Sequence, residues 1–480
     1  MTNWKKIAVL GIVLVIFVAA FIFLSKMQNA DNSDSNEDNQ GKIAEVNSED
    51  VSKIILEHEG TEIVLTREEI EVEKETTDEN GETKTETEKK KVWTNPDFDV
   101  DSSRVDDIIR AAGTTINRTI NENPENVSVY GLDNPRLVTF VLSDGKEVTL
   151  EIGGQSPTGE SQYVRRAGEK AVYSIGSYDG KKLASGKFDI MDRNLYAKDD
   201  VSESDISTLA FFKNGDKVFE AVSDSESGTW NMISPLKVKA EMLEFNKFLK
   251  WISGMRASEF IAENPSDLSE YGLDKPTYEF SYTLDGETYR LILGSKTDNL
   301  YYAKMEDRPL IFTVNGSGLN FVDLPLIDLI QTFIYIPDIY DVERLVIEMD
   351  GRVDWLFIQA NRENPDKDVF YFNGRRIEEE DKSLFRGYYQ GAIGISGDML
   401  YLDAKPSGKA EIRLTYTMKE AKPDKTVVVE LIPTEDGYGY YLMRNGEYSG
   451  LVMGKRQLDD QYLGIRTFYK KLIEGLNKTD

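Results

Sequence analysis

The side chains that could do chemistry are few in kind. The chain of 480 residues has one histidine, His58, and no cysteine. Disulfides, thiolate zinc sites, iron–sulfur clusters, a thiol nucleophile and a lipid-modified cysteine anchor are therefore excluded. One imidazole also rules out His-rich metal sites and most Ser-His-Asp triads. Carboxylates are the opposite case. With 85 Asp and Glu, acid–base pairs for glycoside hydrolysis are available everywhere and none stands out. Asp133 and Asp274 are set apart because they occupy the same place in a repeated motif, Tyr-Gly-Leu-Asp-x-Pro. An aspartate before proline accepts local backbone hydrogen bonds and shapes a turn, which is how both are read. Gly153-Gly154-Gln155-Ser156-Pro157-Thr158-Gly159 is glycine-rich but lacks the Gly-Lys-Ser/Thr ending of a phosphate loop, and reads as an inter-strand loop. No catalytic residue, metal ligand or cofactor-binding residue is assigned, and no cofactor is expected.

Whatever the chain does, composition and patterning decide where it does it. The formal net charge is -28, which repels a polyanion and argues against a nucleic-acid partner. Ile7 to Leu24 is an unbroken apolar run. At about 1.5 Å per residue it just spans a hydrocarbon core of about 30 Å. Lys5 and Lys6 precede it, so residues 1–6 are expected in the cytoplasm, 7–24 as a transmembrane helix in the lipid bilayer, and the bulk of the chain outside. A cleaved signal peptide is the rival reading; its apolar region is normally shorter and is followed by small residues at the cleavage point. Residues 25–50 are rich in Asn, Asp, Ser and Glu and read as a flexible acidic linker.

The ectodomain is organised by a repeat. Tyr130-Gly131-Leu132-Asp133-Asn134-Pro135 returns as Tyr271-Gly272-Leu273-Asp274-Lys275-Pro276, an offset of 141 residues. Asp144-Gly145 and Gly153 return as Asp285-Gly286 and Gly294 at the same offset. Upstream, Val105, Ile108, Ile109 and Ala112 match Phe245, Phe248, Leu249 and Ile252, each set one apolar stripe of a helix. Gly131 and Gly272 supply a positive φ, Leu132 and Leu273 anchor the turn, and Pro135 and Pro276 bar a helix before the next strand. Strand pairs follow, joined in each copy by Asp-Gly. The expected fold class is α+β: an N-terminal transmembrane helix, then tandem repeats of a helix plus an antiparallel β-meander over 51–200 and 201–339, with a divergent third repeat over 340–480. Val51 to Leu65 reads as two strands around Glu59-Gly60. The charged stretch 66–91, with Asn80-Gly81 near its middle, reads either as a protruding polar hairpin or as a disordered insertion.

The doubled block of Trp93 or Trp230, amphipathic helix, Asn-Pro, Tyr-Gly-Leu-Asp-x-Pro and Asp-Gly hairpin resembles a bacterial membrane-anchored family, domain of unknown function 4340. The resemblance covers residues 51–340 well and the remainder loosely. It implies an extracytoplasmic accessory or binding protein without catalysis, partnered with an ABC transporter permease of a gliding-type system or with another envelope protein. It carries no catalytic residues over. A carboxylate-dependent cell-envelope hydrolase and a purely structural envelope spacer are the alternatives.

Overall fold

The computed structural model describes residues 41–77, 83–196, 198, 200–419 and 425–478. The apolar run 7–24, the tail 1–6, linker residues 25–40 and Asn80-Gly81 lie outside the described residues. None of the described helices is long and apolar enough to cross a membrane. Among the described residues the chain forms three antiparallel sheets with few helices. It divides into two compact units, one ending at Arg193 and one beginning at Asn194. The first sheet lies in the former; the second and third lie in the latter.

The first sheet is built from β1 (Val51–His58), β2 (Thr61–Thr77), β3 (Thr83–Thr94), α1 (Ser102–Ala112), β4 (Arg118–Asn121), β5 (Arg136–Leu142), β6 (Glu147–Gln155), β7 (Ser161–Arg166) and β8 (Val172–Gly176). Its strand order is β3-β2-β1-β5-β6-β7-β8-β4. The chain leaves at the β3 edge and re-enters at the β4 edge, so α1 must lie across a face. Its stripe Val105, Ile108, Ile109 and Ala112 is buried in one cluster with Ile54, Leu65, Phe140 and Leu150. Asp101 caps the helix by accepting from the Ser103 N–H at 3.0 Å. The buried Trp93 ring closes the β3 end, its indole N–H donating to Asp106 at 2.9 Å.

Two expectations change here. The expected linker 25–50 does not run free to its end: Ile43 is buried in the first core, and its N–H donates to the Thr114 carbonyl at 2.9 Å. Ile43 and Ala44 bring enough apolar surface to draw this segment onto the sheet. The stretch 66–91 takes the hairpin form, with β2 and β3 paired from Thr66↔Thr94 to Thr77↔Thr83.

The second sheet follows two short helices, α2 (Ser177–Leu183) and α3 (Lys187–Ile190). It comprises β9 (Ile206–Lys213), β10 (Asp216–Asp224), β11 (Thr229–Ser234), β12 (Val238–Lys239), α4 (Met242–Ser253), β13 (Glu259–Glu263), β14 (Tyr278–Leu284), β15 (Glu287–Thr297), β16 (Leu300–Met305) and β17 (Leu310–Asn315). The third comprises β18 (Val342–Met349), β19 (Arg352–Gln359), β20 (Val369–Phe372), β21 (Arg375–Arg376), α5 (Lys382–Ile393), β22 (Met399–Leu400), β23 (Ile412–Met418), β24 (Thr426–Pro433), β25 (Gly439–Arg444) and β26 (Glu447–Gly454), with α6 (Ile465–Leu476) after it. Their orders are β12-β11-β10-β9-β14-β15-β16-β17-β13 and β21-β20-β19-β18-β23-β24-β25-β26-β22. Both repeat the order of the first sheet with one short strand added at the edge. A helix plus a meander is thus only part of each unit, because the strands before the helix belong to the same sheet.

The same topology is filled with different side chains. The second core is a ring cluster in which Phe248 of α4 lies 5.3 Å from Phe211 and 5.2 Å from Phe219. The third stacks Phe385 of α5 on Phe370 at 4.6 Å and adds a buried polar clamp. Asp354, 3% exposed, accepts from Tyr388 at 2.9 Å, Asn373 at 3.1 Å and Arg352 at 3.2 Å. Burial, with Asp354 beside it, pushes the Tyr388 hydroxyl well up, so it stays protonated and donates. The Arg352 guanidinium lies 3.7 Å from the centroid of the Tyr469 ring on α6, and Arg466 on α6 forks onto Asp350 at 2.8 and 3.0 Å.

The hydrogen bond from Arg466 holds the Asp350 carboxyl below its ordinary value. A lowered folded-state value stabilises at pH above the unfolded value of about 3.9 and is lost as pH falls through the folded value. Asp350→Asn is expected to weaken the C-terminal unit at pH 7 and to flatten its loss of stability below about pH 4. Urea midpoints of the full chain measured across pH check this; an unchanged profile contradicts it.

Candidate functional site

The repeated motif is a latch. Ser128–Tyr130 and Ser269–Tyr271 each form one 3-10 turn, ended by Gly131 at φ 66° and Gly272 at φ 67°, both left-handed. Each turn is pressed by backbone contact onto a strand of its own sheet, β6 in the first copy and β15 in the second. A Cβ on Gly131 would lie 2.7 Å from the Gly154 nitrogen, and one on Gly153 would collide with the Tyr130 carbonyl. In the second copy Gly294 meets the Tyr271 carbonyl, and a Cβ on Gly272 would lie 2.8 Å from the Ser295 nitrogen. Leu132 and Leu273 are buried beneath the turns. The tyrosines meet matching partners edge-on: Tyr130 on Tyr163 and Tyr271 on Tyr302, both at 5.2 Å. Pro135 and Pro276 stand just ahead of β5 and β14.

Two sequence readings are corrected. Gly153 and Gly154 lie in β6 rather than in a loop, because the turn needs a strand without side chains beneath it. The local hydrogen bonds expected of Asp133 and Asp274 are made by Asn126 and Asp267, which accept from the Ser128 and Ser269 N–H groups at 2.9 and 2.8 Å. These two sit two residues before the serine, within reach of the turn's opening N–H. His58 ends β1, with its Nε2 3.8 Å from Glu59. Among the described residues no group of three or more His, Asp or Glu is placed to hold a metal ion.

None of the motif residues lines a broad cleft of the C-terminal unit. That cleft, of about 940 Å³, lies between the β11–β12 edge of the second sheet, the connector 331–336 and β26 of the third sheet. Met232, Ile334 and Leu451 form its buried apolar base. Ile233, Phe333, Ile336 and Leu402 surround it, 42–55% exposed. Its charged side chains are Lys237, Lys239, Arg444 and Glu447. Arg444 rides 4.7 Å from the centroid of the Tyr335 ring. The Tyr448 hydroxyl is shielded from solvent and has no hydrogen-bond partner among the described residues. Burial, with Tyr441 and Tyr401 nearby, pushes it up to about 12, so it is a donor at neutral pH. Apolar surface with a few converging polar groups is the make-up of a binding site.

The model of the family described as Domain of unknown function (DUF4340) matches residues 91–229 and again 230–379, together more than half of the chain. The chain belongs to the DUF4340 family. No curated protein and no solved structure matches it. Each DUF4340 match begins at or near a tryptophan in the third strand of a sheet and ends within the next sheet. The family's sequence unit is therefore out of phase with the folded sheet. The first match spans the latch at Tyr130 to Pro135 and the second the latch at Tyr271 to Pro276.

The cleft residues escaped the sequence reading because they come from two sheets. One signal for them was present. The connector into the third sheet carries Phe333 where the connector into the second carries Asn194, each bridging the segment that follows its helix. For the latch, Gly153→Ala is expected to destabilise by about 1–3 kcal/mol or more, since ordinary backbone angles leave only the collision with the Tyr130 carbonyl. Gly113→Ala, whose Cβ would have its nearest neighbour at 3.4 Å, is the control. Thermal unfolding compares them, and equal melting temperatures for the two variants contradict the latch.

Proposed function

We propose that the chain is a membrane-tethered extracytoplasmic accessory protein that works by binding. The run 7–24 holds it in the bilayer as an uncleaved transmembrane helix, with residues 1–6 inside and the sheets outside. The three sheets act as tandem copies of one helix-bearing unit, the third having lost the Tyr-Gly-Leu-Asp-x-Pro latch. Shared strand order supports the third copy.

The observation that carries the binding role is the cleft. Exposed Ile233, Phe333, Ile336 and Leu402 surround cations that make no salt bridge among the described residues, a surface suited to recognition. The family resemblance supports an ABC transporter permease, or another envelope protein, as the partner. The acidic body repels anionic headgroups and favours a protein at the membrane over the lipid surface itself.

Proteolysis of intact cells should remove the sheets and leave a short N-terminal fragment. A chain untouched on sealed cells, or released into the medium, contradicts the tether. Purification of the full chain from detergent after mild cross-linking should recover a transporter permease or envelope component above background. Recovery of neither contradicts the partnership.

A further inference from the structure

We propose that the cleft beside β12 and β26 takes an extended polypeptide segment carrying acidic and apolar side chains. This deepens the binding role above by stating the chemistry of the partner's docking segment. Sign of charge is the first ground. On a chain of net charge -28, Lys237, Lys239 and Arg444 converge on one opening against a single lining carboxylate, Glu447. Asp224 on β10 acts on Lys239 and Glu447 stands opposite Arg444 across the β25–β26 turn, which leaves Lys237 as the cation without a facing acid among the described residues. An acidic ligand is attracted here and repelled almost everywhere else on the surface.

The second ground is the apolar surround. Phe333 and Ile336 on the connector, with Ile233 and Leu402 on the walls, are too exposed for core residues and too close together for solvated ones. A partner must bring apolar side chains as well as charge. The third ground is the main chain at the walls. The outer side of β12 is closed by the connector, whose Gln331 N–H donates to the Lys239 carbonyl at 2.8 Å, but β22 covers β26 only at Leu451 and Val452, with the Tyr401 N–H reaching the Gly450 carbonyl at 3.0 Å. Glu447 and Tyr448 pair with β25 alone among the described residues, and Ser449 lies in the register shift that follows, its hydroxyl donating to the Leu442 carbonyl at 2.8 Å and accepting from the Leu451 N–H at 3.2 Å. An extended segment can add to that edge of β26 and present alternate side chains to the pocket and to the cations. The Tyr448 hydroxyl, shielded and without a partner among the described residues, supplies a donor for a carbonyl or carboxylate of that segment. A lipid anion shares the charge but makes no use of the open edge of β26, which is why a peptide is favoured.

The test uses the full chain in detergent micelles and fluorescence anisotropy of labelled peptides. One peptide alternates Asp with Leu, a second replaces each Asp by Lys, and a third replaces each Leu by Ser. The acidic–apolar peptide should bind at least about tenfold tighter than either control, and weaken at about 0.5 M salt. Lys237→Glu combined with Arg444→Glu should weaken it by about tenfold or more while the circular dichroism spectrum and melting temperature hold. Tyr448→Phe, which removes only the hydroxyl, should weaken it by a smaller factor and serves as a second probe should the charge reversal disturb folding. Binding that ignores both variants, or that fails to prefer the acidic–apolar peptide, overturns the proposal. Competition by phosphatidylglycerol bicelles that abolishes peptide binding, lost in the charge-reversed variant, overturns it in favour of a lipid anion. Loss of the co-purified envelope partner with peptide binding intact would sink the transporter reading alone. Absent peptide binding with that partner retained would sink this proposal alone.

Discussion

A strand that leaves a sheet at one edge and must rejoin it at the other has one economical route, across a face. That constraint governs all three sheets. It fixes where α1, α4 and α5 lie, which of their side chains are buried, and why each needs a single apolar stripe rather than an apolar circumference. The returning strand then seals the far edge by pairing with the last strand of the meander, as β4 does with β8 and β13 with β17. Sheet and helix are mutually dependent: remove the crossing and both the covered face and the sealed edge are lost.

Within that frame the three units solve the filling problem differently. The first core is mostly aliphatic, the second is a cluster of phenylalanine rings, and the third closes over a carboxylate. The third solution demands the most of its neighbours. Asp354 is tolerable at 3% exposure because three donors reach it, the Arg352 cation among them. The extra helix α6 supplies the Tyr469 ring and the Arg466 fork that hold this arrangement in place. A latch of the Tyr-Gly-Leu-Asp-x-Pro kind is missing from the third unit, and α6 packed against α5 gives it a closure of another sort.

Local features were the most readable in the sequence. The stripes of α1 and α4, the strands around Glu59-Gly60 and the repeated turn all depend on residues within a few positions of one another, so spacing alone announces them. Features that depend on distant partners were not. Gly153 looked like part of a loop because the Tyr130 carbonyl it accommodates comes from an earlier turn, and a glycine does not advertise what approaches it. Membership of the opening hairpin in the same sheet as the later meander rests on the β1–β5 pairing across most of the unit. The cleft draws its cations from β12, its preceding loop and the β25–β26 turn, segments far apart in the chain, and no local pattern could assemble them.

The long hairpin of the first sheet has a mechanical side. β1 accompanies β2 only as far as Thr66, after which β2 and β3 run on as a two-stranded arm to Thr77 and Thr83. At about 3.4 Å per residue that arm projects on the order of 35–40 Å. Its rungs match Glu69 with Lys91 and Glu71 with Lys89, and Lys89 reaches Glu69 at 2.7 Å, so opposite charges and ladder bonds hold it where no core does. Its foot is tied to the body, Arg67 donating to the Ser48 carbonyl at 2.6 Å and Lys91 pairing with Glu49 at 3.5 Å, so a bend of the arm is felt there first. Shortening or lengthening the arm by whole pairs of residues beyond that foot keeps the strand register and leaves both ties in place.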